Sequence, residues 1–213
     1  KLYKKYSLVG DVALLPSRVA TTSGLSQWQS IIGTGRWKIV SHSATHEYWG
    51  TVTKNDDGSY TFNEDPEKLI AEIVGSQQTL RELFPDQRVL TFAYPGFWTE
   101  RGYVGHVEER VREFINSQIA RDLIDETYIS GRYAYSQNFP YVTDTDIEWE
   151  YIGSLQLGNN KMDQALSYLE DATNGKLVVF FMHKISESGD ITEENMEFYV
   201  KSLNSFKPHS IDG

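Results

Sequence analysis

The chain has 213 residues, 39% of them hydrophobic and 23% charged, which is the composition of a folded protein and the length of one large domain or two small ones; a single domain over residues 1–213 is expected. With no cysteine, disulfides, thiolate metal sites and a cysteine nucleophile are excluded, leaving histidines and carboxylates as strong metal ligands. A formal charge of -10 opposes a phosphate backbone, so nucleic acid is not an expected partner, and no apolar run approaches the roughly 20 residues of a membrane-spanning helix.

The sequence opens on Lys1, without a Met or a charged-then-apolar leader, so its natural start is expected upstream. Asp11 to Leu15 reads as a short buried strand closed by Pro16. Ser26 to Ile32 reads as a helix with Trp28, Ile31 and Ile32 inward, ended by Gly33 and Gly35. Trp37 to Ser41 is a second strand leading into His42. A hairpin-like polar stretch around Asn55, Asp56, Asp57 and Gly58 precedes Asp65, which can cap a helix beginning at Pro66. Leu69, Ile70, Ile73, Leu80 and Phe84 mark that helix's buried face.

Arg88 to Ala93 is strand-like, and Val107 to Leu123 is helical with Val111, Phe114, Ile115 and Ile119 on one face. Thr127 to Ser130 is a weaker strand, followed by an irregular region through Trp149 that is a candidate for substrate-binding loops. Met162 to Ala172 is a helix with Gly175 beyond its end, Leu177 to Met182 a buried strand, and Thr192 to Phe206 the last helix. Strands alternating with helices, some of them continuously apolar, indicate an α/β fold with parallel strands covered by helices. Chemistry in such folds collects at the carboxyl ends of strands.

Three segments with chemical potential fall at such ends. His42-Ser43-Ala44-Thr45-His46 spaces two imidazoles four residues apart, so a helical turn beginning there would set them on one face toward one ion; a surface coincidence is the plainer reading. His183 closes the run Val178 to Met182, where a histidine can act as general acid or simply end a strand. Tyr94-Pro95-Gly96 turns the chain sharply, and the backbone N–H of Gly96 is a candidate oxyanion donor or part of an ordinary tight loop. Trp49, Trp98 and Tyr135 sit in polar surroundings, where aromatic rings serve either as platforms for sugars or as core. His106 and His209 read as surface histidines, and the Glu108, Glu109, Arg110 and Arg112 cluster as a solvated helix face. No dinucleotide, P-loop or serine-elbow motif is present.

Taken in order, these segments resemble the polysaccharide deacetylases that share the NodB homology domain, carbohydrate esterase family 4, over most of the chain. Ile39 to His46 resembles the family's metal-binding second motif, Phe92 to Gly96 its third, and Val178 to His183 with Ile185 its last; Tyr3 to Leu8 resembles the approach to the second strand. The resemblance implies a distorted (β/α) barrel of about seven strands with a divalent metal, most commonly zinc, bound by two His and one Asp. It makes His42 and His46 the imidazole ligands, His183 the proton donor to the departing amine, and Gly96 the oxyanion donor. Tyr94 and Trp98 become substrate-binding residues, and an N-acetylated polysaccharide the substrate. It also implies an extracellular, periplasmic or cell-surface location.

Three departures stand beside it. The family's first motif, an Asp-Asp pair carrying the base and the carboxylate ligand, has no counterpart before Tyr3 and is expected upstream of Lys1, which leaves this stretch nearly inactive by itself. Ser210 to Gly213 faintly resembles that motif, as a rearranged chain would place it. Ala93 stands where many members carry arginine, and Gly96 where an aromatic is common. A carbohydrate-binding relative that has lost catalysis is the alternative reading.

Overall fold

After a turn at residues 6–7 the chain enters strand β1, Gly10–Leu14, which lies parallel to β2, Trp37–Ser41, with Gly10 opposite Trp37 and Leu14 opposite Ser41. The structure is a computed structural model that describes residues 5–47, 49–57, 60–95, 117–132, 141–142, 149, 152–173 and 177–205. These divide into two compact units: one lies within Val9–Arg132 with Trp149 added, the other joins residues 5–8 to 141–142 and 152–205.

In the first of these units, β5 (Thr91–Ala93) and β6 (Ser130–Arg132) continue the parallel sheet in the order β1-β2-β5-β6. The α/β class and the parallel sheet are as the sequence implies. Where a barrel of about seven strands was the expectation, the described residues hold this four-stranded sheet and three two-stranded pairs, with no closed barrel among them. Ile39, Val40 and Ser41 are all buried, the pattern of a strand covered on both faces.

Pro16 starts a short helix, α1 (Pro16–Val19), rather than merely closing β1, and α2 (Thr22–Ile32) begins four residues before the expected Ser26. Ile32 is buried on α2 as expected, but Ile31 is exposed, since adjacent residues on a helix diverge by about 100° and only one faces the sheet. The polar stretch at 55–57 joins the antiparallel pair β3 (Gly50–Lys54) and β4 (Tyr60–Glu64), as a hairpin should.

Asp65 caps α3 (Pro66–Ile70), its carboxylate accepting from the N–H groups of Glu67 and Lys68, a cap worth about 1 kcal/mol. The helix then passes through a π-helical turn, Ala71–Gly75, before α4, Ser76–Leu83. Leu69, Ile73, Leu80 and Phe84 are buried as expected; Ile70 is 49% exposed. The inward stripe is completed instead by polar Glu72, Ser76 and Gln77, all buried and all hydrogen-bonded. Ser76 Oγ meets Ser41 Oγ at 2.6 Å and Tyr128 Oη at 3.2 Å, and the Tyr128 hydroxyl donates to Ile73 O. Burial pushes the Tyr128 phenol above its ordinary pKa, with the hydroxyls of Ser41 and Ser76 opposing. Gln77 Nε2 donates to Val89 O and Thr127 O, tying helix to sheet.

The helix expected from Val107 to Leu123 is described only from residue 117. There Ser117 caps α5 (Gln118–Thr127), its hydroxyl accepting from Ala120 N, so a fresh helix starts at that point and runs beyond Leu123. Ile119 is exposed, and Ala120 and Ile124 face the core in its place; Val111, Phe114 and Ile115 lie outside the described residues.

In the other unit, α6 (Met162–Thr173) and α7 (Glu193–Ser205) match the expected helices. The expected strand from Leu177 to Met182 is divided into β9 (Leu177–Val178) and β10 (Phe180–Phe181). β9 pairs antiparallel with β7 (Tyr141–Val142), and β10 pairs parallel with β8 (Leu155–Gln156). The run is only partly buried, with Leu177 39% exposed, because its halves serve two partners rather than one central ladder. Leu155, Leu157, Ala165, Ile191, Met196, Tyr199 and Val200 form this unit's core. No helix of the described residues is long and apolar enough to cross a membrane.

Residues 5–6 are tied to α7 by Glu197, whose Oε1 accepts from Lys5 Nζ at 2.5 Å and from the Tyr6 hydroxyl at 2.7 Å. The Lys5 bond first, then Tyr6, holds the Glu197 carboxyl down at about 2, below its ordinary 4.5. A depressed carboxylate contributes stability above its ordinary pKa and loses it as pH falls through the folded value. Glu197→Gln is therefore expected to flatten the acid limb of the stability curve between pH 4.5 and about 2, modestly because the pair is exposed, as read by thermal unfolding across that range.

Candidate functional site

At the carboxyl end of β2 the ladder runs one bond past the strand: the N–H of His42 donates to Leu14 O at 3.1 Å, and the chain then leaves the sheet. Beside it, on β5, the carbonyl of Ala93 lies 2.8 Å from His42 Nδ1. A carbonyl only accepts, so Nδ1 carries the hydrogen, and in the neutral ring the lone pair is on Nε2. That is the arrangement by which a metal-binding imidazole is fixed from behind.

The segment after His42 is not the helical turn expected from the four-residue spacing. Ser43 and His46 have φ of 66° and 67°, the left-handed region that non-glycine residues occupy at a cost of about 1–3 kcal/mol each. Side-chain and backbone bonds hold this shape: Ser43 Oγ accepts from His46 N at 3.0 Å, Ala44 O from Ser17 N at 3.2 Å, and the Glu72 carboxylate from both the N–H and the hydroxyl of Thr45. The loop, in place of the expected helical turn, brings the two rings side by side. The rings of His42 and His46 stand 4.9 Å apart, centroid to centroid, at 70°.

Two imidazoles bound to one tetrahedral zinc at the usual Zn–N length of about 2.0–2.1 Å place their centroids roughly 5 Å apart, so the pair has the spacing for a shared ion. The donor set is incomplete: among the described residues no three His, Cys, Asp or Glu side chains gather as a metal site. Ala93 and Arg132 are register partners on β5 and β6, one step beyond the level of Ser41. Burial lowers the Arg132 pKa to about 10, with Asp11 opposing.

Beneath the imidazole pair the aromatic residues are core. Tyr94 is 1% exposed with its ring edge-on to Phe92, and Trp49, 2% exposed, lies 6.3 Å from the same ring, which makes Trp49 packing rather than an exposed sugar platform. Gly96, Trp98, His106, residues 108–112, Tyr135 and His209 lie outside the described residues.

His183 belongs to the other unit, two residues past β10. Its side chain is 73% exposed, and Asp190 Oδ2 accepts from both its backbone N–H, at 2.6 Å, and its ring Nδ1, at 3.0 Å. Burial raises the Asp190 pKa, but the two bonds from His183 and one from Gln156 outweigh it and hold the carboxyl below its ordinary value. The Asp190 carboxylate accepts the hydrogen on Nδ1 and so orients the ring, leaving Nε2 as the nitrogen not engaged by Asp190. A tight turn returns Asp190 to His183: Gly189 N donates to Ser186 O and Asp190 N to Lys184 O. A Cβ on Gly189 would lie 2.4 Å from Lys184 O, so the turn requires glycine.

Glu72, Thr45 and Asp190 were not singled out from the sequence. Glu72 was detectable as a polar residue in phase with the apolar stripe of Leu69 and Ile73, and Asp190 as a carboxylate following a glycine turn seven residues after His183.

A solved structure similar to this chain is a de-N-acetylase from Aggregatibacter actinomycetemcomitans, with 12% identity and a TM-score of 0.47 over 72% of this chain and 62% of that one. The chain thus spans less than two thirds of that protein's length. No family model and no curated protein matches the sequence.

Proposed function

We propose that the chain belongs to a metal-dependent hydrolase that removes N-acetyl groups from an N-acetylhexosamine-containing polysaccharide, a polysaccharide deacetylase of distorted (β/α)-barrel type acting at or outside the cell surface. One observation carries the reading: the imidazoles of His42 and His46 stand 4.9 Å apart at the carboxyl end of a parallel sheet, with His42 Nδ1 anchored on the Ala93 carbonyl. The motif resemblances at Ile39 to His46, Phe92 to Gly96 and Val178 to His183 support it.

In this reading His42 and His46 hold a divalent ion, zinc by the nature of the donors. When bound, that ion supplies Lewis acidity to the acetamide carbonyl and to the water that attacks it. Ser43, through the His46 backbone, and Ala93, through the His42 ring, keep the imidazoles in place. His183 is assigned the proton for the departing amine, and its bond to Asp190 fixes the orientation and tautomer of the ring. Gly96 is assigned the backbone oxyanion donor. The surplus of acidic residues suits a neutral sugar polymer better than a polyanion.

The test is acetate release by the full-length protein from a chitooligosaccharide or an acetylated glucosamine polymer. Release that stops with a chelator and returns with zinc is the expected result. Oligosaccharide binding with no acetate released, at any zinc concentration, would instead make the protein a binding module of the same fold.

A further inference from the structure

A buried carboxylate supports the loop that carries both imidazoles, and it comes from a distorted helix. Glu72 is 4% exposed and lies in the π-helical turn Ala71–Gly75, where one residue is accommodated beyond the α-helical repeat. Its Oε2 accepts the Thr45 N–H at 2.9 Å and its Oε1 the Thr45 hydroxyl at 2.5 Å. Both oxygens are thus spent on the residue next to His46. Burying a carboxylate is costly unless its lone pairs are met, and here a single threonine meets both oxygens. The carboxylate and the left-handed loop are consequently mutually dependent: Thr45 presents two donors on one side only because Ser43 and His46 reverse the chain around it.

We propose that Glu72 is a positioning residue that, through Thr45, sets the mutual geometry of His42 and His46 and thereby the affinity of the site for a divalent cation. This rests on the metal-binding reading above. Glu72 acts from outside the donor set, since among the described residues it does not gather with His42 and His46 as a group of ligands. Its influence passes along one residue of backbone to His46, whose ring must remain at 4.9 Å from that of His42 for the pair to share an ion.

The experiment uses the full-length protein with Thr45→Val, Glu72→Gln and Thr45→Ser, and His42→Ala as the ligand control. Zinc binding is titrated calorimetrically, and the imidazole nitrogen signals of His42 and His46 are recorded by NMR in the metal-free protein. Thr45→Val removes the hydroxyl donor at nearly constant volume, and Glu72→Gln replaces one acceptor by an NH₂; both are expected to weaken zinc binding about 10–100-fold, the loss typical of an outer-shell partner. Both should also shift the His42 and His46 signals without metal, and Thr45→Val, which leaves the buried Glu72 Oε1 without its donor, should lower the unfolding midpoint as well. Thr45→Ser keeps both donors and is expected to match the wild type in every readout. Unchanged zinc affinity in Thr45→Val and Glu72→Gln, with His42→Ala binding none, overturns the role of Glu72 and leaves the metal reading standing. Failure of the wild type to bind zinc overturns the metal reading, and the metal-free imidazole signals then decide alone: displaced signals uphold the positioning role and unmoved signals refute it.

Discussion

Replacing His42 by alanine in the full-length protein is expected to abolish zinc binding and acetate release together, with circular dichroism unchanged. The ring is only half-buried, and its hydrogen bond to the Ala93 carbonyl contributes about 1 kcal/mol to the fold, so the protein survives the change. The site does not. One imidazole cannot close a zinc site, and the affinity loss should exceed the roughly 10–100-fold that follows from disturbing an outer-shell partner. Zinc titration beside an acetate assay checks this directly; retained metal with undiminished turnover would remove His42 from the site.

The largest effect on stability is expected at Phe92. Its side chain is fully buried, and its ring lies 5.3 Å from that of Tyr128, 5.5 Å from Tyr94 and 6.3 Å from Trp49. Phe92→Ala leaves a cavity walled by three rigid rings with little capacity to collapse, at a cost of about 3–5 kcal/mol and a fall in unfolding midpoint on the order of 10 °C. Calorimetry against the wild type measures it. A cost below 1 kcal/mol would mean that the aromatic cluster repacks, and that Tyr94 is far less constrained than its burial indicates.

Local chemistry made part of this architecture readable in advance. Asp65 before Pro66 carries its own signal for a helix start, and Trp37 to Ser41 holds the adjacent β-branched pair Ile39 and Val40 of a strand buried on both faces; both stand where expected. What escaped depends on partners distant in sequence. An apolar run such as Leu177 to Met182 does not disclose that Val178 will pair with Tyr141 and Phe180 with Leu155. The exposed faces of Ile70 and Ile119 were misread because apolar periodicity counts only apolar residues, whereas Glu72, Ser76 and Gln77 hold inward positions through hydrogen bonds. Around His42 and His46 the helical turn inferred from the four-residue spacing is absent, and the rings come to 4.9 Å through a loop with two left-handed residues, which the spacing does not disclose.

The acceptor that orients His42 is a main-chain oxygen, and that shapes how position 93 can vary. A glycine or serine there would offer the imidazole the same atom, provided the strand kept its pairing with β6 through Tyr94 N and Arg132 O. The neighbouring position is the more vulnerable one: proline in place of Tyr94 would delete the amide that fastens this strand end and so loosen the oxygen on which the imidazole leans. Substitution along this segment should accordingly be limited at the contact residue by the space around its fully buried side chain rather than by the hydrogen bond, and should exclude proline at the residue after it.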